Sequence, residues 1–208
     1  MDQKLNICLV KTSLPSYFPE KHDVWGKSIN GLIKICKELN VNLNIIQEIP
    51  MNANDTKKTI SKCKELNTDF ILVLHGGFTM GDVALTFAES NFKLGFWSVP
   101  EPTLTGDVQL NNFVSLNMSM SIAKKVRNTS KNPVSWYYGF ANNKEFKQKI
   151  TLTLRTLQSL KILSQSRIGL IGGLAMTFYN MEVSTTKLKS KLGVDIFNHD
   201  IHELTNRM

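Results

Sequence analysis

The sequence predicts an α/β fold in which a parallel sheet is doubly wound, with helices on both of its faces. Strand-like apolar runs alternate with helix-like segments along most of the chain, as in repeated β-α-β units. The run at 70–74 is apolar without a break, which is typical of a central strand buried on both faces. Loops rich in glycine or proline follow several of these runs, where parallel strands lead into helices.

The elements are predicted in chain order from their apolar spacing. The strand-like runs lie at 5–10, 41–45, 70–74, 94–97, 133–138, 167–171 and 194–197. Apolar residues at steps of three and four predict the longer helices, at 25–39, 108–126 and 144–163. We expect a lysine-rich helix capped by Asp55 to extend to Leu66 and a short helix at 82–90. In the helix at 108–126, one face is expected to carry Leu110, Phe113, Val114, Asn117 and Met120.

Length and pattern predict one complete domain and the beginning of a second. A chain of 208 residues suits one large domain or slightly more. We place the first Rossmann-like domain at 1–142, a connecting helix at 143–165 and an incomplete second domain at 166–208. A single β-α-β unit cannot cover both faces of its own sheet. The last part is therefore expected to pack on the first domain, a partner chain or further sequence.

Composition excludes several classes of protein. The formal net charge is +8, but the lysines lie in separate groups on predicted helices, with no RNP-like aromatic motif beside them. We therefore expect no nucleic-acid partner. No run of about 18 apolar residues and no secretory signal core is present, which predicts a cytoplasmic protein with no membrane partner. The cysteines form no CxxC pair, so we expect buried free thiols in a reducing compartment.

Three loops are the candidate ligand sites, because open parallel sheets bind ligands beyond the carboxyl ends of their strands. They span residues 75–82, 97–102 and 172–176. Glycines in the first and third loops favour close backbone approach and anion binding, or simply a tight turn. Neither loop is a P-loop, because no Gly-Lys-Ser/Thr follows, and neither contains Gly-x-Gly-x-x-Gly.

Individual side chains in these loops suggest chemistry, each with a structural alternative. His75 is either a general base or ligand, or a hydrogen-bonded loop residue. Trp97 would stack on a sugar and Glu101 would accept its hydroxyl hydrogens; otherwise they are a core indole and a solvated carboxylate. The segment 199–203 contains two histidines that suggest a metal, but a closed site needs further rigid ligands. No metal site is therefore predicted there.

The order and spacing of these loops resemble the L-fucose isomerase and L-arabinose isomerase-like family. The resemblance rests on three stretches, which are LHGGFTMGD at 74–82, GFWSVPEP at 95–102 and GLIGGLAM at 169–176. The segment from Gly193 to Leu204 also resembles the second domain of the family. Family members are much longer, with two Rossmann-like domains followed by a C-terminal domain.

The resemblance implies an aldose–ketose isomerase that works through an ene-diol with a divalent metal, usually Mn²⁺. The family's metal ligands lie later in the chain, so this sequence would be an N-terminal part without metal, cofactor or catalytic residues. We therefore expect no isomerase activity from this chain alone. The full-length protein would act on a monosaccharide as a homo-oligomer in which the first domain contributes to a neighbouring subunit's site.

The resemblance also places particular residues against the sugar. Trp97 matches a family tryptophan that packs on the substrate, and Met176 matches a methionine that follows the second domain's Gly-Gly turn. The expected substrate contacts are Trp97, Glu101, Met176, His75, Gly77 and Gly173. The family's basic contact near the N terminus has no secure counterpart around Lys21.

Two other functions stay open from the sequence. One is a non-catalytic intracellular module that binds a sugar or another small ligand at the Gly-Gly loops. The other is a flavodoxin-like cofactor binder, which is disfavoured because no Ser/Thr-rich phosphate loop follows the first strand.

Overall fold

The computed structural model describes residues 4–127, 132–173 and 176–207, which form two compact units at 1–155 and 156–208. The first unit is a parallel sheet of β1 (Asn6–Thr12), β2 (Asn42–Ile46), β3 (Phe70–His75), β4 (Lys93–Ser98) and β5 (Val134–Tyr138). Its strand order is β2-β1-β3-β4-β5. This is the flavodoxin-like order of doubly wound folds, and it confirms the predicted fold class.

Helices lie on both faces of this sheet. They are α1 (Val24–Glu38), α2 (Ala53–Glu65), α3 (Gly81–Glu89), α4 (Asn112–Val126) and α5 (Lys144–Ser164). Successive side chains of a strand point to opposite faces. In β4, Phe96 joins the apolar cluster of α2, α3 and α4, whereas Trp97 packs on Phe146 of α5. The division between the two compact units falls inside α5.

The central strands supply the core, because they are paired on both sides and covered on both faces. Every residue of β3 is buried, as the unbroken apolar run predicts. Residues Ile7 to Val10 of β1 are fully buried beside it. Complete burial of an aliphatic side chain stabilises a fold by about 1.5–3 kcal/mol, so these strands hold the sheet and fix the loops at its carboxyl edge.

The second unit contains a two-stranded parallel sheet. It comprises β6 (Arg167–Ile171), a 3₁₀ turn (Tyr179–Met181), α6 (Thr185–Leu192), β7 (Asp195–His199) and α7 (Ile201–Thr205). Ser184 accepts a hydrogen bond from the Lys187 N–H, and Gly193 ends α6 at a φ of 76°. All residues of β6 are exposed. The predicted domain limits at residues 142 and 165 stay predictions.

Two details of the helices differ from the sequence-based expectations. The cap of α2 is Asn52 rather than Asp55, because the side-chain Oδ1 of Asn52 accepts a hydrogen bond from the Asp55 N–H at 3.0 Å. The expected apolar face of α4 is wrong in part: Phe113 and Val114 are about half exposed, whereas Leu110 is buried and Met120 packs against the core. The helix instead buries a face of Asn112, Ser115, Leu116, Ser119 and Ala123.

The expected buried thiols and exposed lysines are confirmed. All three cysteines are buried free thiols, and the lysines of α2, α4 and α6 are exposed. Among the described helices, none is both long enough and apolar enough to cross a membrane.

Candidate functional site

A cavity of about 470 Å³ lies at the carboxyl edge of the five-stranded sheet. Three loops form it, those that follow β1, β4 and β5. Its lining residues are Lys21, His22, Asp23, Val24, Lys27, Pro100, Glu101, Pro102, Leu110 and Phe140. The structure thus places Glu101 of the second predicted loop at a cavity. The other residues that line this cavity were not predicted as site residues.

Glycines after β3 let the neighbouring loops pack closely beside this cavity. A Cβ atom on Gly76 would collide with the Trp25 indole, and one on Gly77 would lie 2.5 Å from the Ser13 hydroxyl. The Leu14 N–H donates to the Phe78 carbonyl at 2.8 Å. Gly77 was predicted to let a ligand approach the backbone closely. In the structure the space beside Gly77 is filled by the loop that follows β1, so the structure does not support this role.

The Glu101 carboxylate holds the long loop that leads into α4. One oxygen accepts from the Leu110 N–H at 2.9 Å, and the other accepts from the Asn111 N–H at 2.8 Å. Burial, with a further contribution from the nearby Glu101 charge, raises the pKa of Tyr138. The Glu101 carboxylate was expected to be solvated or bound to a sugar. In the structure both of its oxygens accept hydrogen bonds from the backbone, although the side chain still lines the cavity.

Replacement of Glu101 by alanine is expected to release this loop. Two backbone donors lose a charged acceptor, which should lower the free energy of unfolding by about 1–3 kcal/mol. Amide hydrogen exchange at Leu110 and Asn111 should accelerate, whereas Glu89→Ala, at the exposed end of α3, should leave both rates unchanged. Equal exchange rates in wild type and Glu101→Ala would contradict the bracing role.

Sequence reasoning missed two lysines that line the cavity. Lys21 lies in the 3₁₀ turn Pro19–His22, and Lys27 lies in the first turn of α1. The Lys27 ammonium donates to the His22 carbonyl at 3.3 Å and lies 5.9 Å from the centre of the Phe140 ring. Neither lysine forms an ion pair with another described residue. The family's basic contact near Lys21 was the one available signal.

His75 is not exposed to this cavity. It is fully buried, with Nδ1 2.9 Å from the Thr12 hydroxyl and Nε2 3.1 Å from the Ser119 hydroxyl. The ring also stacks on Phe96 at a centroid distance of 5.6 Å. Burial lowers the pKa of His75 to about 3. A neutral, enclosed imidazole braces the sheet and α4, so the alternative of a hydrogen-bonded loop residue describes it better than a base or ligand.

Trp97 is also enclosed. Its exposed fraction is 0%, its indole N–H donates to the Gly139 carbonyl at 2.8 Å, and its ring centre lies 4.5 Å from that of Phe146. This placement offers no indole face to a ligand. The geometry therefore favours the structural alternative of a core tryptophan over the sugar-stacking role.

The third predicted loop belongs to the second unit. Gly173 has a φ of 69° with open space around it, and Met176 is 90% exposed. Residues 174 and 175 of this loop lie outside the described residues. The substrate contacts expected at Gly173 and Met176 stay predictions.

The cavity of the first unit combines charged, polar and apolar side chains. The ammonium groups of Lys21 and Lys27 are potential donors to a ligand, the Asp23 carboxylate is a potential acceptor, and Phe140 and Leu110 supply an apolar wall. Sugars need this mixture, because their hydroxyl groups both donate and accept while their ring carbons are apolar. Within residues 4–127, 132–173 and 176–207, no three His, Cys, Asp or Glu side chains are grouped to hold a metal ion.

Comparison with known proteins points in the same direction. No protein-family model matches the chain. Sulfoquinovose isomerases of Priestia aryabhattai and of Priestia megaterium are each 25% identical to it over 130 residues. The match covers 58% of this chain but only 28% of each relative's length. Over this stretch the chain is similar to sugar isomerases.

Proposed function

We propose that this chain is part of an aldose–ketose sugar isomerase of the fucose/arabinose isomerase type and that the cavity of its first unit binds the sugar. The observation that carries the proposal is the cavity itself, in which lysine donors, a carboxylate and an aromatic ring meet at the carboxyl edge of a parallel sheet. The distant similarity to sulfoquinovose isomerases supports the same class of substrate.

The described residues do not supply the reaction's acid–base and metal machinery. An aldose–ketose exchange moves a proton between adjacent carbons, which requires a base and an electrophile at the carbonyl oxygen. His75 is enclosed and neutral, and no described donor set fits a divalent ion. We therefore assign this chain binding and orientation of the sugar. The proposal places Mn²⁺ or another divalent ion elsewhere in a longer, homo-oligomeric, cytoplasmic enzyme.

Sugar titrations of the whole chain test this assignment. Nuclear magnetic resonance should show L-fucose, D-arabinose or sulfoquinovose shifting backbone signals at residues 21–27 and 100–102. Lys27→Gln removes a charged donor and should weaken this binding about 10-fold or more. Lys57→Gln makes the same change on the exposed face of α2 and should bind as wild type does. Absence of sugar-dependent shifts at these residues, or equal weakening in both variants, would refute the assignment.

A non-catalytic module that binds a sugar or another small ligand is the second candidate. It is favoured by one observation, namely that every lining residue of this cavity belongs to the first unit. Neither candidate expects ketose formation from this chain alone, so the two are separated by affinity. Micromolar binding by the isolated chain would favour the module, whereas weak binding that tightens in a longer protein would favour the isomerase.

A further inference from the structure

A second cavity, of about 300 Å³, lies in the second unit at the carboxyl ends of β6 and β7. It is lined by Gly169, Ile171, His199, Asp200, Glu203 and Arg207. Ligands of open parallel sheets bind at this edge. The proposed function does not use these residues.

His199 is held in one orientation. Its Nδ1 lies 2.9 Å from Oε2 of Glu203. An ionised carboxylate only accepts hydrogen bonds, so Nδ1 carries the proton that Glu203 accepts, and Nε2 is the ring nitrogen that faces a ligand. No other described group bonds Nε2. The ring lies against Gly169, where a Cβ atom would be 3.3 Å from Cδ2 of His199, so the glycine makes room for the imidazole.

Arg207 lines the same cavity without a partner among the described residues. The nearby carboxylates are otherwise engaged: Glu203 holds His199, and Oδ1 of Asp200 accepts from the His202 N–H at 2.8 Å. The guanidinium donors are therefore available to a ligand. A planar fork of N–H groups can donate to two oxygen atoms at once.

The charges decide which ligand fits. An oxyanion would be attracted by Arg207 but repelled by Asp200 and Glu203, which line the same cavity. A neutral pair of adjacent hydroxyls avoids this repulsion, because its oxygens accept from Arg207 and one hydroxyl, which can donate or accept, forms a hydrogen bond with Nε2 of His199. We propose that this cavity binds adjacent hydroxyl groups of a monosaccharide or other polyol. The inference rests on the proposed function for the choice of sugar and deepens it with a second set of contacts.

The test follows the imidazole signals of His199 while the full chain is titrated with L-fucose, D-arabinose and, separately, inorganic phosphate. Either sugar should shift the His199 signals. Arg207→Gln should weaken the sugar-dependent shift of His199 at least 10-fold, whereas His202→Gln, outside the cavity lining, should not. If only phosphate shifts His199, or if no titrant does, the inference is wrong.

The outcome separates this inference from the proposed function. Lys27→Gln alters the cavity of the first unit and should leave the sugar-dependent shift of His199 in place. A shift at His199 without shifts at residues 21–27 would overturn the proposed function alone. Shifts at residues 21–27 without one at His199 would overturn the inference alone. Because the His199 signal is read in the wild-type chain, a variant that fails to fold does not block the test.

Discussion

Replacement of Trp97 by alanine is expected to lower the free energy of unfolding of the first unit by about 3–5 kcal/mol, the cost of deleting a large buried ring. The indole is completely buried against Phe146, and the cavity left behind would lie in a core with few ways to collapse. The Gly139 carbonyl would also lose the indole N–H that donates to it. Urea unfolding followed by circular dichroism measures this loss.

Two further variants separate packing from surface effects. Trp97→Phe keeps an aromatic ring but removes the indole N–H. It should therefore lower the free energy of unfolding by less than Trp97→Ala does. Trp136→Ala removes a tryptophan that is 48% exposed and should cost clearly less than Trp97→Ala. If Trp97→Ala were no more destabilising than Trp136→Ala, the ring would not be a core element. The sugar-stacking hypothesis from the family resemblance would then regain its basis.

The fold could be predicted because its central strands leave a strong signal. An unbroken apolar run such as β3 has few alternatives to a strand that is buried on both faces. The buried face of α4 was predicted wrongly for a physical reason. Ser119 is buried because its hydroxyl bonds His75, and Ser115 because it accepts from the Thr79 N–H at 2.8 Å. Hydropathy alone assigns such serines to solvent.

The candidate site was predicted by its loop but not by its contacts. The loop rule located Glu101, yet its backbone partners lie nine and ten residues further along. The partner of Trp97 lies 42 residues away. In the sequence, nothing distinguishes Lys27 from a solvated lysine. It lines a cavity only because the fold brings the loops after β1 and β4 together. The predicted spacing of His199 and His202 likewise did not reveal that His199 pairs with Glu203.

Acidification is expected to destabilise the first unit through His75. Burial lowers the pKa of its imidazole to about 3, whereas the ordinary value is 6.5. Below pH 6.5 the imidazole of the unfolded chain binds a proton, whereas the buried imidazole of the folded chain does not. The free energy of unfolding therefore decreases as the pH falls. The contribution of His75 is thus complete above pH 6.5 and decreases by about 1.4 kcal/mol per pH unit between about pH 6 and pH 3.

A comparison of variants isolates this effect from the titration of carboxylates. His75→Gln keeps hydrogen-bonding groups near Thr12 and Ser119 but has no proton to gain, so its disadvantage relative to wild type should shrink as the pH falls. Phe96→Leu removes the ring stacked on His75. It should lower the free energy of unfolding at every pH but leave its dependence on pH as in the wild type. Urea unfolding at pH 7, 6, 5 and 4 gives the three curves. A gap between wild type and His75→Gln that stayed constant with pH would show that the folded and unfolded chains bind the proton equally well, which would contradict a lowered pKa of the buried imidazole.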